Sequence, residues 1–323
     1  MKKNESISIV LSTYNRASIL EQTLNAFSML DLDSLDVRFI VVDNNSKDNT
    51  HEVLNRYREL LPLECFFEKK PGKNVALNTA IREASSLGEI VVFTDDDIIP
   101  HLDWIVKISD ASTRWKNYSV FGGRVELFWP PSNIPMWAKE IAKDPWAFAA
   151  HDLGDKEVLY PENRNPAGPN YWIRRELLEK GYKFNESIGP HPKNRIMGSE
   201  TTFLYQLREN GYNPVFIPDA AVQHHVDKEL LEPSGILKRA FTNGRGAARQ
   251  FFLRQPDELK KYVFFKRVKA GAGIIKWKIN EWLLNYSFND NNRVLRQIQV
   301  MKGIGWHTEM IKIFKELKKW KKL

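Results

Sequence analysis

Residues 88–100 read GEIVVFTDDDIIP. Ile90 to Thr94 form a largely apolar run of strand length, the pattern of a buried strand. Three carboxylates follow without a break: Asp95, Asp96 and Asp97. On an extended chain, side chains two apart share a face, so Asp95 and Asp97 look one way and Asp96 is turned aside. Unpaired carboxylates crowded at a strand end repel one another, and a hard divalent cation with oxygen ligands removes that repulsion. The same residues also fit a solvated acidic turn capping a helix that Pro100 starts. The setting favours a metal–phosphate site, because the acids leave a buried strand at the sheet edge where α/β folds bind ligands.

The residues before this stretch alternate between two patterns. Residues 6–12 (SISIVLS) read as a strand, and 19–30 as a helix with Leu20, Leu24 and Phe27 at helical spacing. Residues 38–43 (RFIVVD) are a second strand. The next helix, capped by Ser46 or Asp48, carries Val53, Leu54, Tyr57, Leu60 and Leu61. Residues 64–68 make a short third strand, and 74–86 a third helix with Ala76, Leu77, Ala80, Ile81 and Ala84. Alternation with short links predicts an α/β fold with a doubly wound, mainly parallel sheet.

A dinucleotide fold needs Gly-x-Gly-x-x-Gly after its first strand. Here the turn is Ser12-Thr13-Tyr14-Asn15-Arg16-Ala17, without glycine. Its hydroxyls, amide and guanidinium suit a nucleotide held by side chains. Asp43 ends the second strand, where an acid can accept from a base N–H or a ribose hydroxyl, or can cap a helix. Pro71-Gly72-Lys73-Asn74 turns into a helix, so Lys73 can face a phosphate with the helix N-terminus behind it.

Residues 112–190 are less regular. Residues 120–128 read as a strand containing Gly122 and Gly123, followed by the aromatic, proline-rich FWPPSNIPMW. The loop NPAGPN (165–170) precedes Tyr171, Trp172, Ile173, Arg174 and Arg175. Exposed Trp and Arg are frequent in binding surfaces, and the core is the other home for such residues. Residues 189–199 are polar and proline-punctuated, a candidate mobile loop. Gly198-Ser199-Glu200-Thr201 then opens an amphipathic helix through Phe203, Leu204 and Leu207. Residues 214–218 read as a short strand, followed by His224, His225 and Asp227.

The chain has 323 residues, 42% hydrophobic and 27% charged, which is the composition of a globular protein of one or two domains. Its one cysteine, Cys65, excludes an intrachain disulfide framework and a Cys-based zinc site, and fits a reducing compartment. The opening MKKNESISIV lacks a signal-peptide apolar region, and no apolar run is long enough to span a bilayer. A cytoplasmic location follows as the expectation. Residues 228–323 carry a net charge of +14 and residues 1–227 one of −6, so the two regions should meet different partners. The expected division is a catalytic domain over 1–227 and a basic helical region over 228–323. Within the catalytic domain, residues 1–111 are expected to take the nucleotide and residues 112–227 the acceptor.

Seven segments, in this order, resemble a family 2 glycosyltransferase of GT-A fold, of the bacterial surface-polysaccharide type. They are IVLSTYNR, VVDNNSKDNT, PGKNVALNTAI, FTDDDIIP, GPNYWIRRELL, GSETTFLYQLRENGY and PDAAVQHHV. The resemblance covers about residues 6–250. It departs from the family where Ser199-Glu200 stands in place of the usual Glu-Asp. The resemblance implies an inverting, metal-dependent transfer from a nucleotide-diphosphate sugar, a UDP-sugar favoured, to a glycan or lipid-linked acceptor. The donor would be held by Thr13, Tyr14, Asn15, Arg16, Asp43, Lys73, Asn78, Asp95 and Asp96. Asp95, Asp97 and His224, with His225 as the alternative histidine, would bind Mn²⁺ or Mg²⁺. Glu200 would take the acceptor's proton, with Asp152 and Asp155 as fallbacks. Trp137, Asn170, Tyr171, Trp172 and Arg174 would meet the acceptor.

Two other readings compete. A nucleotidyltransferase also joins an α/β sheet, a nucleotide and a metal, but usually has a glycine-rich first loop. A non-catalytic nucleotide- or nucleic-acid-binding protein is compatible with a basic, aromatic tail, although no nucleic-acid partner is expected. In that tail, residues 262–286 and 306–323 are amphipathic. Met310, Ile311, Ile313, Phe314, Leu317 and Trp320 fall on or beside one helical face, with Lys312, Lys315, Lys318, Lys319, Lys321 and Lys322 around the rest. Such a helix can lie in an anionic membrane interface, apolar side down, making the protein peripheral on the inner face of the cell membrane. Packing on the catalytic domain or in a homo-oligomer is the alternative.

Overall fold

Strand β1 (Ile7–Thr13) is buried on both faces, as a sheet with helices on either side requires. The computed structural model describes residues 5–32, 35–84, 86–191, 195–255, 275 and 290–320. After β1 come α1 (Ala17–Phe27), β2 (Val37–Asp43), α2 (Thr50–Tyr57), β3 (Leu63–Phe67), α3 (Lys73–Glu83) and β4 (Ile90–Phe93). Then follow β5 (Ile98–Pro100), α4 (Trp104–Arg114), β6 (Val120–Phe128), α5 (Met136–Ile141), α6 (Pro145–Phe148) and β7 (Val158–Leu159). The chain continues through β8 (Tyr171–Arg174), α7 (Glu176–Glu179), α8 (Ser199–Glu209), β9 (Val215–His225), α9 (Pro233–Arg254) and α10 (Asp290–Trp320).

The strands form one sheet in the order β3-β2-β1-β4-β8-β6-β9-β5, with β7 also on β9. β1 runs parallel to β2 and β4, and β2 to β3, as the alternating pattern predicts. The irregular middle of the sequence supplies the exception. β8 lies antiparallel between β4 and β6, whereas β6 and β9 are parallel. On one face Ile9, Phe39, Val41 and Val92 meet Leu20 and Phe27 of α1 and Trp104 of α4. On the other, Val10, Ile40, Val91 and Phe93 meet Ala76 and Leu77 of α3 and Phe203 and Leu204 of α8.

Three sequence expectations change. Pro100 ends β5 and does not start a helix; α4 begins at Trp104. The four residues of β8 are too few for a periodic signal, and Tyr171 to Arg174 form a central strand. β9 runs for 11 residues, carrying His224 and His225 at its end.

The described residues divide into two compact units. One comprises those within 1–128, 148–192 and 199–225, and holds the whole sheet; the other comprises those within 129–147, 193–198 and 226–323. The second unit therefore takes in two segments upstream of the expected boundary at 227. In it, α9 and α10 approach closely because both carry glycine at the crossing. A Cβ on Gly244 would lie 2.0 Å from the Lys302 carbonyl oxygen, and one on Gly305 2.0 Å from that of Phe241. Ala248, Met310, Ile313 and Phe314 form the core beside the crossing, with Phe251, Trp306 and Leu317 against it. Met310, Ile313, Phe314 and Leu317 of the face assigned above to a membrane interface thus pack against α9. An amphipathic stripe records that a helix has an apolar partner and does not say whether the partner is lipid or protein. Apart from Ile275, residues 262–286 lie outside the described residues, as do 192–194 of the candidate mobile loop and 321–323. Among the described residues, no helix is long and apolar enough to cross a membrane.

His151 is 4% exposed, and its Nε2 lies 2.9 Å from the Tyr160 hydroxyl. Burial, with Arg164 nearby, pushes its pKa down to about 4. As pH falls, the unfolded chain takes up this proton first, at the ordinary imidazole value. The contribution is therefore present in full above that value and is lost as pH falls through the folded pKa, at a cost of roughly 3 kcal/mol. His151→Gln should lose less stability than the unmodified protein between about pH 7 and pH 4.5, measured by urea unfolding. Parallel stability curves for the two proteins would contradict this account.

Candidate active site

The parallel register brings the ends of the first strands to one edge. Thr13 pairs with Asp43, and β4 ends beside them, releasing Asp95, Asp96 and Asp97. The loops at this edge are tied by side chains. Asn15, at φ 51°, donates its N–H to Ser46 Oγ at 2.9 Å and accepts from Lys47 N through Oδ1 at 2.6 Å. Asp48 Oδ2 accepts from Ala17 N at 2.9 Å, and Asp43 Oδ1 from Ser46 N at 2.8 Å. Asn44 gathers the next turn: its Nδ2 donates to the carbonyls of Glu68 and Lys70, and its Oδ1 accepts from Gly72 N at 2.7 Å. Gly72, at φ +133°, is the residue type that this turn into α3 needs.

Two cationic side chains and an imidazole, from three parts of the chain, converge on the aspartates. Arg16 spans two of them, Nη1 donating to Asp96 Oδ1 and Nη2 to Asp97 Oδ2, each at 2.8 Å. Lys73 Nζ, at the start of α3, pairs with Asp95 Oδ1. His224 Nε2, from the end of β9, lies 3.3 Å from Asp97 Oδ1. Burial and the neighbouring Asp97 raise the Asp96 carboxyl to about 6, against the pull of Arg16. Burial works the same way at Asp97, but His224 and Arg16 overcome it and hold that carboxyl well below the usual range.

Ligand atoms of Asp95, Asp97 and His224 lie within 4.8 Å of one another. Asp97 Oδ1 is buried and accepts no hydrogen bond. Two carboxylates and an imidazole, with such an oxygen facing inward, are a donor set that fits Mn²⁺ or Mg²⁺. His225 is aimed elsewhere, its ring edge-on to Phe128 at 4.8 Å.

Glu200 stands in the first turn of α8. A Cβ on Gly168 would lie 3.2 Å from its carboxyl carbon, so the loop 165–170 passes close against this side chain. The preceding Ser199 Oγ donates to Asn74 Oδ1, and Asn74 Nδ2 donates to the Asn185 carbonyl at 2.7 Å. The start of the Glu200 helix is thereby bonded to the start of the Lys73 helix. Burial opposes the charge on Lys73, but Asp95 and then Glu200 keep it protonated. Burial, with Glu200 and Asp95 nearby, raises the Tyr171 phenol well above its ordinary value.

Several residues expected at the acceptor have partners within the fold. Trp172 is fully buried, stacked on Phe121 at 5.4 Å, with its indole N–H on Ser112. Arg174 donates to the carbonyls of Tyr118 and Ser112 and pairs with Glu5. Asn170 is buried, donating to the Arg124 and Ala220 carbonyls and accepting from the Trp104 indole. Trp137 is buried in α5 of the second unit. The Tyr171 ring stacks on Phe93 in the core. The Trp172 ring and the Arg174 and Asn170 donors are thus engaged within the fold, while Tyr171 lies near enough to Glu200 and Asp95 to be affected by both. Asn78 holds residues 184–186 through Nδ2 to the Phe184 carbonyl and Oδ1 to the Phe184 N–H. Asp152 and Asp155 pair with Arg124. Sequence reasoning passed over Asn44, Asn74, Ser199 and Gly168, whose roles rest on partners far along the chain. Only the position of Asn44 at a strand end carried a local signal.

The model of Glycosyl transferase family 2 matches residues 8–182, more than half of the chain. The chain belongs to glycosyltransferase family 2. This glycosyltransferase is 26% identical over 251 residues to glycosyltransferase AglE of Haloferax volcanii, covering 76% of this chain and 74% of that protein. It is 22% identical over 245 residues to succinoglycan biosynthesis protein ExoM of Rhizobium meliloti, covering 74% and 73%. Among solved structures, mannosyltransferase PcManGT from Pyrobaculum calidifontis, in complex with GDP-Man and Mn²⁺, matches with a TM-score of 0.57 and 18% identity over 97% of this chain and 87% of that one. S. aureus TarS 1–349 in complex with UDP matches with a TM-score of 0.52 and 16% identity over 96% and 91%. These structures establish the GT-A fold for the glycosyltransferase.

The Arg16 bridge generates a stability prediction. Arg16→Met leaves Asp96 and Asp97 buried without their shared counter-charge, at a cost on the order of 3 kcal/mol. The loss should be larger at pH 8 than near about pH 5, where Asp96 can be protonated. Denaturant midpoints at the two pH values read it; an equal loss at both would rule out electrostatics as its cause.

Proposed function

We propose that this glycosyltransferase is inverting and metal-dependent. It moves a sugar from a nucleotide-diphosphate sugar, a UDP-sugar favoured, to a hydroxyl of a glycan or lipid-linked acceptor in surface polysaccharide assembly. The observation that carries this reading is the meeting of Asp95, Asp97 and His224 at the end of β4, with Glu200 close enough to act electrostatically on Lys73. UDP in the TarS structure, and GDP-Man with Mn²⁺ in the PcManGT structure, support a nucleotide-sugar donor. The name of ExoM supports polysaccharide synthesis.

Charge supports the metal. Asp95, Asp96, Asp97 and Glu200 face two permanent cations, Arg16 and Lys73, so a donor diphosphate would add negative charge to a site already short of positive charge. Mn²⁺ or Mg²⁺ held by Asp95, Asp97 and His224 supplies Lewis-acid stabilisation of the departing diphosphate. The chain's own residues do the rest. Thr13, Tyr14, Asn15 and Asp43 line the edge for the nucleoside, and Lys73 offers its ammonium to phosphate. Glu200 takes the proton of the attacking hydroxyl, and Tyr171, protonated at all working pH values, cannot compete for it.

Glu200→Gln keeps the shape of the side chain and removes the proton acceptor. Turnover should fall about 100-fold or more, with little change in donor affinity. Activity found in a screen of UDP-, GDP-, dTDP- and CMP-sugars should vanish in EDTA and return with Mn²⁺ or Mg²⁺. Near-normal turnover of the variant would remove Glu200 from the role, and full activity in EDTA would remove the metal.

The positive tail supports a peripheral location on an anionic membrane. With Met310, Ile313, Phe314 and Leu317 packed against α9, the attraction is carried by charge, at about 1 kcal/mol per lysine near the surface. Lys312 and Lys315 are exposed. The protein should sediment with phosphatidylserine vesicles at low salt, and less so as Lys312→Glu/Lys315→Glu. No sedimentation at low salt would leave a soluble acceptor as the reading.

A further inference from the structure

Two helices of the first unit begin side by side at the candidate site. α3 opens with Lys73 and Asn74, and α8 with Ser199 and Glu200. In each pair one residue belongs to the charged site and its neighbour bonds across to the other helix. Lys73 pairs with Asp95, and the loop at Gly168 passes close against the Glu200 carboxyl. Asn74 and Ser199 are 1% and 2% exposed, and the Ser199 hydroxyl donates to Asn74 Oδ1.

Asn74 is itself held from a third direction. Its Nδ2 donates to the Asn185 carbonyl at 2.7 Å. Gly189, at φ +114°, brings its backbone against the amide, where a Cβ would lie 3.3 Å from Asn74 Oδ1. Lys73 N donates to the Pro190 carbonyl at 3.0 Å, and Asn78, one turn on, bonds both backbone groups of Phe184. Residues 184–190 thus follow the start of α3 and fix which way the Asn74 amide points.

The apolar contacts of α8 do different work. Phe203 and Leu204 pack on the sheet, and Phe203 stacks on Phe184 at 4.5 Å. Such contacts hold the helix down but are non-directional, so they leave its rotation loosely set. A hydrogen bond has a direction and a length, and one made at the first residue of α8 sets that rotation where Glu200 stands. It adds little net stability, so what it supplies is geometry. A carboxylate at 199, as in the Glu-Asp that Ser199-Glu200 replaces, only accepts and could not donate to Asn74.

We infer that Asn74 positions the proton acceptor: its bond to Ser199 sets where the Glu200 carboxylate stands relative to Lys73 and Asp95. This rests on Glu200 being the base. Asn74 is a positioning residue; it acts through Ser199 and touches no reacting atom. The same amide thereby joins the lysine offered to the phosphates and the base offered to the acceptor in one rigid piece.

The test uses the full chain as Asn74→Ala, Ser199→Ala and the double variant. It reads nucleotide release, with water as acceptor, from the nucleotide sugar hydrolysed fastest in the screen of UDP-, GDP-, dTDP- and CMP-sugars. kcat should fall about 10- to 100-fold in each single variant, the scale of a misplaced catalytic group. The double variant should fall no further than the slower single one, because both changes break the same bond. KM for that nucleotide sugar should stay as in the unmodified protein, since Lys73 and Asp95 keep each other. Hydrogen exchange should quicken at residues 203–206, whose N–H groups bond the carbonyls of the first turn of α8, and stay unchanged at 90–97.

Wild-type kcat in both single variants, beside an inactive Glu200→Gln, would overturn the inference and leave the base reading standing. An active Glu200→Gln would overturn both. Losses that multiply in the double variant would show two separate actions and no shared bond. A KM that rises in step with the loss of kcat would reduce Asn74 to a structural support of the donor site. Unchanged exchange at 203–206 would overturn the inference without reference to activity.

Discussion

Three carboxylates at the end of one buried strand cannot stand together without cations around them. Asp96 and Asp97 are 5% and 7% exposed, so water does little to screen them. The groups that hold them come from distant stretches of the chain. Arg16 follows β1, Lys73 opens α3, and His224 closes β9. The requirement reaches into the sheet. β5 pairs antiparallel with β9 so that Ile98 lies opposite His224, and the His225 N–H donates to the Asp97 carbonyl at 2.9 Å. The strand that supplies the histidine is thus bonded to the turn that supplies the acids.

The edge where β1, β2 and β4 end has no glycine-rich loop and is made rigid in another way. Asn15, Asp43, Asn44 and Asp48 commit their side chains to backbone N–H and C=O groups of neighbouring loops. Asx residues do this readily and tolerate the left-handed backbone seen at Asn15. A loop held by such bonds presents its remaining groups in fixed places, which lowers the ordering cost of binding. The same device operates on the other side of the site, where Asn74 joins the starts of α3 and α8.

The second unit solves a different problem. Its helices meet through glycines and carry a buried Arg–Glu–Arg cluster, a combination that favours one crossing geometry over many. Lys302 adds its ammonium over the Trp146 ring at 3.8 Å. Arg245, Arg249 and Lys302 of the positive tail are thus engaged in building the unit.

What the sequence determined by itself was whatever short-range pattern governs. Alternating apolar periods set β1 to β4 and α1 to α3, with boundaries that moved by a few residues, and a strand ending in Asp95-Asp96-Asp97 marked the site before any partner was visible. The seven ordered segments carried the family. Tertiary structure decided whatever depends on partners far away. Trp172, Arg174 and Asn170 looked like a binding surface, because one sequence of four or five residues cannot show that β8 is inserted antiparallel in mid-sheet and its side chains consumed there. The stripe of α10 looked ready for lipid, because periodicity gives an apolar face without naming what covers it. His224 and His225 were equivalent as letters. Pairing of β9 with β5 and β6 separated them, since neighbours on a strand point to opposite sides and only one of those sides holds the aspartates.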